Sequence, residues 1–356
     1  MGTEIERLDP NLGNVDASAG LAWYDARELV VEGRGWQDTA EFYDRLPARA
    51  QGIVRAPIWN LSRHSAGMCV RFQTDAMAIS ARWVLRFPSL AMDHMPATGV
   101  SGVDLYVEKC GTWHWLGVGR GARFPVSSAT LVSGLSPGWK HCMLYLPLYN
   151  GVARVEVGVP HGQAVARAPA WGHAGTKPIC FYGTSIVQGG CASRPGMAYP
   201  AILGRWLRRP TINLGFSGNG KAEPEMGRLL AELDPSVYVV DCLPNLDETE
   251  VEARMSTFLS IMHEARPHTP LVLVENIRYQ HADFVTTRQE DFVKKNQALR
   301  KVFNHFRSSG WNNMYYVAGV SLLGEDGEAT VDGTHPTDVG FLRIAAALEP
   351  VLRPLV

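Results

Sequence analysis

Apolar and polar positions alternate through the first half of the chain. Met77, Ile79, Ala81, Trp83, Leu85 and Phe87 fall on one side of a period-two stretch, against Ala78, Ser80, Arg82, Val84 and Arg86. That pattern predicts a strand with one buried face. Val103, Leu105 and Val107 alternate in the same way with Asp104, Tyr106 and Glu108, so the polar side of this strand holds Asp104 and Tyr106. A turn over 109–111 then leads into a second strand over 112–118. Cys142, Leu144 and Leu146 alternate before Asn150-Gly151, a pair that tolerates positive φ and predicts a hairpin turn. Ala153, Val155, Val157 and Val159 follow against Arg154, Glu156 and Gly158. No amphipathic helix of useful length is legible between 50 and 165. The first half therefore reads as an antiparallel β-sandwich of jelly-roll type, over residues 1–165.

The texture changes after a stretch rich in Pro, Gly and Ala, whose core, 166–177, reads as a linker that Trp171 can pin to a surface. Short apolar runs at 179–182, 211–214, 237–242, 271–274 and 314–317 then alternate with helical segments near 197–208, 223–233 and 248–265. A longer helix carries Phe292, Leu299, Val302, Phe303 and Phe306 at helical spacing, and a final one covers about 337–348. Five such runs with helical crossovers predict a five-stranded parallel sheet covered on both faces. The second domain, 178–356, is accordingly a flavodoxin-like three-layer α/β/α unit. In such sheets ligands bind beyond the carboxyl ends of the strands.

Composition narrows the class. The 356 residues are 46% hydrophobic and 19% charged, with a net charge of −1, so a large core forms and a strongly basic nucleic-acid binder is excluded. The apolar runs are far shorter than the ~20 residues of a membrane span. The first residues, Met-Gly-Thr-Glu-Ile-Glu-Arg, lack an apolar signal core, and six scattered cysteines form no C-x-x-C pair. Both features favour a cytoplasmic setting with free thiols. Eight of the ten tryptophans precede residue 172, which suits sugar binding but suits an aromatic core as well.

Polar residues collect at the expected strand ends. The first run exits into Gly183-Thr184-Ser185, the second into Asn213-Leu-Gly215-Phe-Ser217-Gly218, and the third into Asp241-Cys-Leu-Pro244-Asn245. Asp332-Gly-Thr-His335-Pro336 precedes the last helix. Taken singly, each has a plain structural explanation: an N-cap for Ser185, a positive-φ turn for Gly218, an Asx-turn for Asn245, a helix cap for Asp332. Occurring together and in order, they suggest a serine nucleophile, a carboxylate–imidazole base and amide donors for an oxyanion. Lys221, Glu223, Glu225, Glu275 and Asn276 also lie near strand ends, where spacing does not choose between pocket and cap. Cys191, close after Ser185, reads as a small buried residue. His263-Glu264 lacks the second histidine of a zinc-protease helix, Gly117-x-Gly119-x-Gly121 opens no helix, and no Walker A loop occurs.

The four blocks, over about 177–356, resemble blocks I, II, III and V of the SGNH (GDSL-type) hydrolases. The stretch from Gly183 to Pro200 is similar to a bacterial branch of that superfamily whose N-terminal domain carries a Gly-x-Asp-Leu-Tyr motif, here Gly102-Val-Asp104-Leu-Tyr106. Thr184 stands where the family's namesake has Asp, and Pro244 where block III usually has Gly; neither change removes a reacting group. The resemblance implies Ser185 as nucleophile, His335 as general base and then acid, and Asp332 as its orienting partner. It implies an oxyanion hole from the Ser185 and Gly218 N–H groups and the Asn245 side chain, with no metal and no cofactor.

The expectation is a serine esterase that removes a small acyl group, acetyl above all, from a carbohydrate or other polar metabolite. It has no nucleic-acid or membrane partner, and a homo-oligomer is compatible with the sequence. A lipase- or thioesterase-like enzyme for longer acyl chains is the alternative within the class. A non-catalytic carbohydrate-binding protein is the alternative outside it. For Asp104 and Tyr106 a structural role is expected.

Overall fold

A computed structural model describes residues 14–16, 20–172 and 175–356; the first residues and His173-Ala174 of the expected linker lie outside them. Among the described residues the first half holds eleven strands: β1 (Asn14–Asp16), β2 (Leu21–Asp25), β3 (Val30–Glu32), β4 (Cys69–Thr74), β5 (Ala78–Leu85), β6 (Val103–Lys109), β7 (Thr112–Gly119), β8 (Val126–Ser133), β9 (Lys140–Tyr145), β10 (Val152–Pro160) and β11 (Val165–Arg167). They form two antiparallel sheets, ordered β1-β2-β10-β5-β8 and β11-β4-β9-β6-β7, with β3 paired to β4. Two short helices, α1 (Ala56–Ser62) and α2 (Ala97–Val100), interrupt the strands.

The alternating apolar positions meet between the sheets. Ile79, Ala81, Trp83 and Leu85 from β5 and Val155 and Val157 from β10 pack on Val70 and Phe72 of β4, Leu105 of β6 and Leu144 of β9. Each fully buried side chain of this size contributes about 1.5–3 kcal/mol. The β6–β7 turn is as expected, with Cys110 and Gly111 both at positive φ.

The Asn150-Gly151 hairpin is not formed. β9 pairs with β4 and β6, whereas β10 pairs with β2 and β5, so this pair carries the chain from one sheet to the other. Asn150 is fully buried and bonds the backbone instead: its Oδ1 accepts from Phe87 N–H at 3.0 Å and its Nδ2 donates to Phe87 O at 2.8 Å. At Gly151 a Cβ would lie 2.2 Å from Arg63 O, so close approach, not turn geometry, explains the glycine. The stretch read as a linker is also tied down, since β11 pairs with β4 and Trp171 is buried against Arg71.

The second half holds β12 (Ile179–Gly183), β13 (Thr211–Gly215), β14 (Val237–Asp241), β15 (Leu271–Val274) and β16 (Met314–Val317) in one parallel sheet ordered β13-β12-β14-β15-β16. The order reverses at β12, which places a crevice at its carboxyl end. Alternate residues feed two cores. After α3 (Ser185–Gln188) and α4 (Tyr199–Leu207) in the chain come α5 (Pro224–Ala231), α6 (Glu248–Ala265) and α7 (Thr286–Ser308), and Cys180, Tyr182, Leu214, Tyr238, Val240, Leu271 and Leu273 face these three. Ile179, Phe181, Val237, Val239, Val272 and Val274 face α4 and α8 (Asp338–Leu352). The α6 start is fixed by a reciprocal capping box between Asp247 and Glu250. Among the described residues no helix is long and apolar enough to cross a membrane.

The two halves share cores. Trp36, Leu46 and Trp59 join the first, and Met95, Val100 and Leu148 join the second.

Candidate active site

Ser185 opens α3 immediately after β12. The helix is capped by Thr184, whose Oγ1 accepts from Ile186 N–H at 3.2 Å. The capping role expected for Ser185 thus falls on its neighbour, and the Ser185 hydroxyl is left for another partner. Gly183 lets β12 approach the adjacent strand closely, because a Cβ would sit 2.0 Å from Asp241 O. Ser185 is 7% exposed.

The partner is His335, whose Nε2 lies 2.9 Å from Ser185 Oγ. Its Nδ1 lies 2.8 Å from Asp332 Oδ2. The other carboxylate oxygen, Oδ1, accepts from His335 N–H at 2.7 Å and Thr334 N–H at 3.0 Å. Asp332 does not cap α8; Thr337 does, by accepting from Gly340 N–H. Burial works to raise the Asp332 carboxyl, but the bonds from the His335 backbone and ring and from Thr334 N–H outweigh it and hold it at about 2. The carboxylate therefore stays ionised, and it favours the tautomer with the proton on Nδ1, leaving Nε2 free to accept from the serine O–H.

Gly218 sits at the tip of the β13–α5 connection at φ +69° and is exposed. Asn245 follows β14, and its Oδ1 accepts from Gly220 N–H at 3.2 Å, which turns its NH₂ end away from that contact. Beneath them lies Gln188, fully buried, which sequence spacing did not single out. Its Oε1 accepts from Ser217 N–H at 3.0 Å and its Nε2 donates to Leu148 O at 3.0 Å. Asn213 donates to Val187 O at 2.7 Å. These bonds fix the Gly218 turn relative to the Ser185 helix. Arg45, from the first half, was missed as well. It is fully buried and donates to Asn213 O, Gly215 O, His64 O and Leu61 O. Burial lowers its guanidinium to about 9, which leaves it charged near neutrality.

Asp104 and Tyr106 do not face solvent. That side of β6 is covered by the chain that follows α3. Asp104 accepts from Gly196 N–H at 2.9 Å, from Arg194 at 2.8 Å and from Trp115 Nε1 at 2.8 Å. Tyr106 lies under Arg205, 4.0 Å from guanidinium carbon to ring centroid. The alternation was right, and the polar face is an interface between the halves.

Glu275 and Asn276 are buried away from Ser185, bonded to Arg300, Tyr316 and Gly319 and to Asn296. Glu223 pairs with Arg55 and Lys221 with Glu250. Cys191 is buried, as expected, but also lies beside His335. Gly134-Leu-Ser136-Pro-Gly138 fits the Gly-x-Ser-x-Gly pattern of a nucleophile elbow, yet it connects β8 to β9 and enters no helix.

The arrangement joins a hydroxyl, an imidazole and an ionised carboxylate in series, beside amide donors at the carboxyl edge of a parallel sheet. Residues 176–353 match the GDSL-like lipase/acylhydrolase family, and residues 21–165 match the GxDLY-type N-terminus of SGNH-hydrolase-type esterases. A Bacteroides ovatus protein solved as a GDSL-like lipase is 30% identical, covers 94% of this chain and 98% of its own, and superposes with a TM-score of 0.88. Two more distant structures share the fold. The salicylyl-acyltransferase SsfX3 of a tetracycline biosynthetic pathway is 18% identical, with 94% and 98% coverage and a TM-score of 0.74. The acetyl xylan esterase Est2A of Butyrivibrio proteoclasticus is 12% identical, with 94% and 98% coverage and a TM-score of 0.56. No curated protein matches the chain. The chain belongs to the GDSL-like lipase/acylhydrolase family and is an ester hydrolase of the SGNH type with a GxDLY N-terminal domain.

Proposed function

We propose that the protein is a serine esterase that removes a small acyl group, acetyl above all, from a carbohydrate or another polar metabolite. The observation that carries this reading is the 2.9 Å contact between Ser185 Oγ and His335 Nε2, with Asp332 behind the ring. In this reading His335 Nε2 takes the Ser185 proton as Oγ attacks the ester carbonyl. Asp332 stabilises the imidazolium that results. The Ser185 and Gly218 N–H groups and the Asn245 NH₂ receive the negative charge on the carbonyl oxygen. One such donor is worth about 3–4 kcal/mol in the transition state. His335 then returns the proton to the leaving alkoxide, and the acyl group rests on Ser185. Water, deprotonated by the same Nε2, releases the acid.

A short acyl group suits the surroundings. Ser185 is only 7% exposed, and Gly190 backs onto the ring, where a Cβ would sit 3.4 Å from His335 Cδ2. His94, from the loop before α2, stands edge-on to His335 with centroids 5.6 Å apart. The N-terminal half thus walls the site of its own chain. A p-nitrophenyl ester series tests the reading: acetate or propionate should give the highest kcat/KM, and Ser185→Ala should abolish turnover. A maximum at octanoate or longer would favour the lipase-like alternative, and no turnover with intact folding would favour a binding protein.

A further inference from the structure

His94, Cys191 and His335 converge beside Ser185, with one ligating atom from each lying within 4.8 Å of the others. They come from three separate segments. His94 sits in a turn closed by the reciprocal Met92–Met95 backbone bonds, both 3.0 Å. Cys191 follows Gly189 and Gly190 and holds a left-handed φ of 73°, a conformation that non-glycine residues seldom adopt. His335 is fixed through Nδ1 by Asp332, so Nε2 is the nitrogen it can offer. A carboxylate bonded to the far nitrogen of a ligating histidine orients the ring and raises its basicity in metal sites.

Two imidazoles and a thiol form a nitrogen–sulfur donor set, which selects zinc, cobalt or copper over magnesium and calcium. Zinc bonds of about 2.0–2.1 Å to nitrogen and 2.3 Å to sulfur place donors roughly 3.3–3.7 Å apart. The three atoms must therefore close by up to about 1 Å when an ion binds. Among the described residues no hydrogen bond holds the His94 ring, which stands edge-on to His335.

We propose that His94, Cys191 and His335 bind a divalent zinc-like ion that reversibly switches the enzyme off. As the metal–sulfur bond forms, the Cys191 S–H proton passes to solvent and the sulfur ligates as thiolate. Both histidines bind as neutral rings, and a water completes the fourth position. The metal occupies the Nε2 lone pair, which then cannot take the Ser185 proton. That consequence rests on the role of His335 proposed above; the binding itself does not.

The test uses the full-length chain and cobalt(II), whose thiolate complexes absorb in the near ultraviolet. Titration should give one saturable thiolate-to-cobalt band in the wild type and equally in Ser185→Ala, where esterase chemistry plays no part. Cys191→Ser should abolish the band, and His94→Ala should weaken binding roughly tenfold or more. Cys110→Ser, which removes the exposed thiol, should keep it. Zinc should inhibit ester hydrolysis over the concentration range that displaces cobalt, and EDTA should restore it. The proposal is overturned by the lack of a band, by a band lost in Cys110→Ser and kept in Cys191→Ser, or by full hydrolysis at saturating zinc. A normal band in a chain that hydrolyses no ester would keep the metal site and remove the esterase reading.

Discussion

The Arg45 guanidinium, in the N-terminal half, donates to the Gly215 carbonyl at 2.6 Å, at the end of the strand that leads into the Gly218 turn. Its other bonds also go to main-chain carbonyls, and no carboxylate pairs with it among the described residues. The charge is accommodated by four oriented dipoles, with the Phe216 ring 4.9 Å away. Arg45→Met removes the side-chain donor shared by those carbonyls and should cost about 3–5 kcal/mol of stability. Arg45→Lys cannot span the four acceptors and should recover only part of that. Urea denaturation of the three proteins checks both statements.

Asp104 should matter beyond stability. Its carboxylate holds Gly196 N–H and Arg194, in the segment that runs from Cys191 toward α4. Asp104→Ala leaves Arg194 and the Gly196 amide without that partner. We expect a fall of about tenfold in kcat/KM, because displacement by even an ångström at a reacting centre is costly. Asp104→Asn keeps a bond to the Gly196 amide and should lose less. Steady-state kinetics beside a melting curve separates the two effects.

Asp332→Asn should lower kcat about 10³–10⁴-fold with little change in KM, because it favours the wrong tautomer of His335 and leaves substrate contacts intact. The carboxyl of Asp332 is held at about 2, so the acid limb of the wild-type pH–rate profile is not its own protonation.

A separate pH effect comes from Asp241 at the end of β14. Burial pushes its carboxyl up to about 7, against a single hydrogen bond from Tyr199 OH at 2.9 Å. The folded chain then retains a proton that the unfolded chain gives up. Its stabilising contribution is complete below the ordinary value of 3.8 and is lost as pH rises through about 7. Asp241→Asn should remove this slope. The wild type should lose on the order of 2–4 kcal/mol more than the variant between pH 4 and pH 8. Denaturant midpoints at the two pH values decide it.

Much of this architecture can be read from the sequence, since period-two and helical patterns report directly on which side chains are buried. All five parallel strands and the two-sheet sandwich follow from that rule. Ser185 and Asp332 each read singly as caps, and with His335 were legible only from the ordered run of blocks at strand ends and its resemblance to the SGNH hydrolases. The rule fails where a polar face is buried by something distant in sequence. Asp104 and Tyr106 sit on the polar side of β6, and only the fold shows Arg194 and Gly196 covering them. Asn150-Gly151 has hairpin chemistry, yet the strands on either side find partners in different sheets. Arg45 and Gln188 act by bonding to backbone atoms, which leave no trace in residue spacing.

The central claim is that Ser185 is the nucleophile and His335 its base. Intact-mass analysis after treatment with a serine-reactive p-nitrophenyl phosphonate tests it most directly. A single adduct should form on Ser185, disappear in Ser185→Ala and form far more slowly in His335→Ala, in step with loss of acetate-ester hydrolysis. An adduct on another residue, or undiminished turnover by Ser185→Ala, would contradict the assignment.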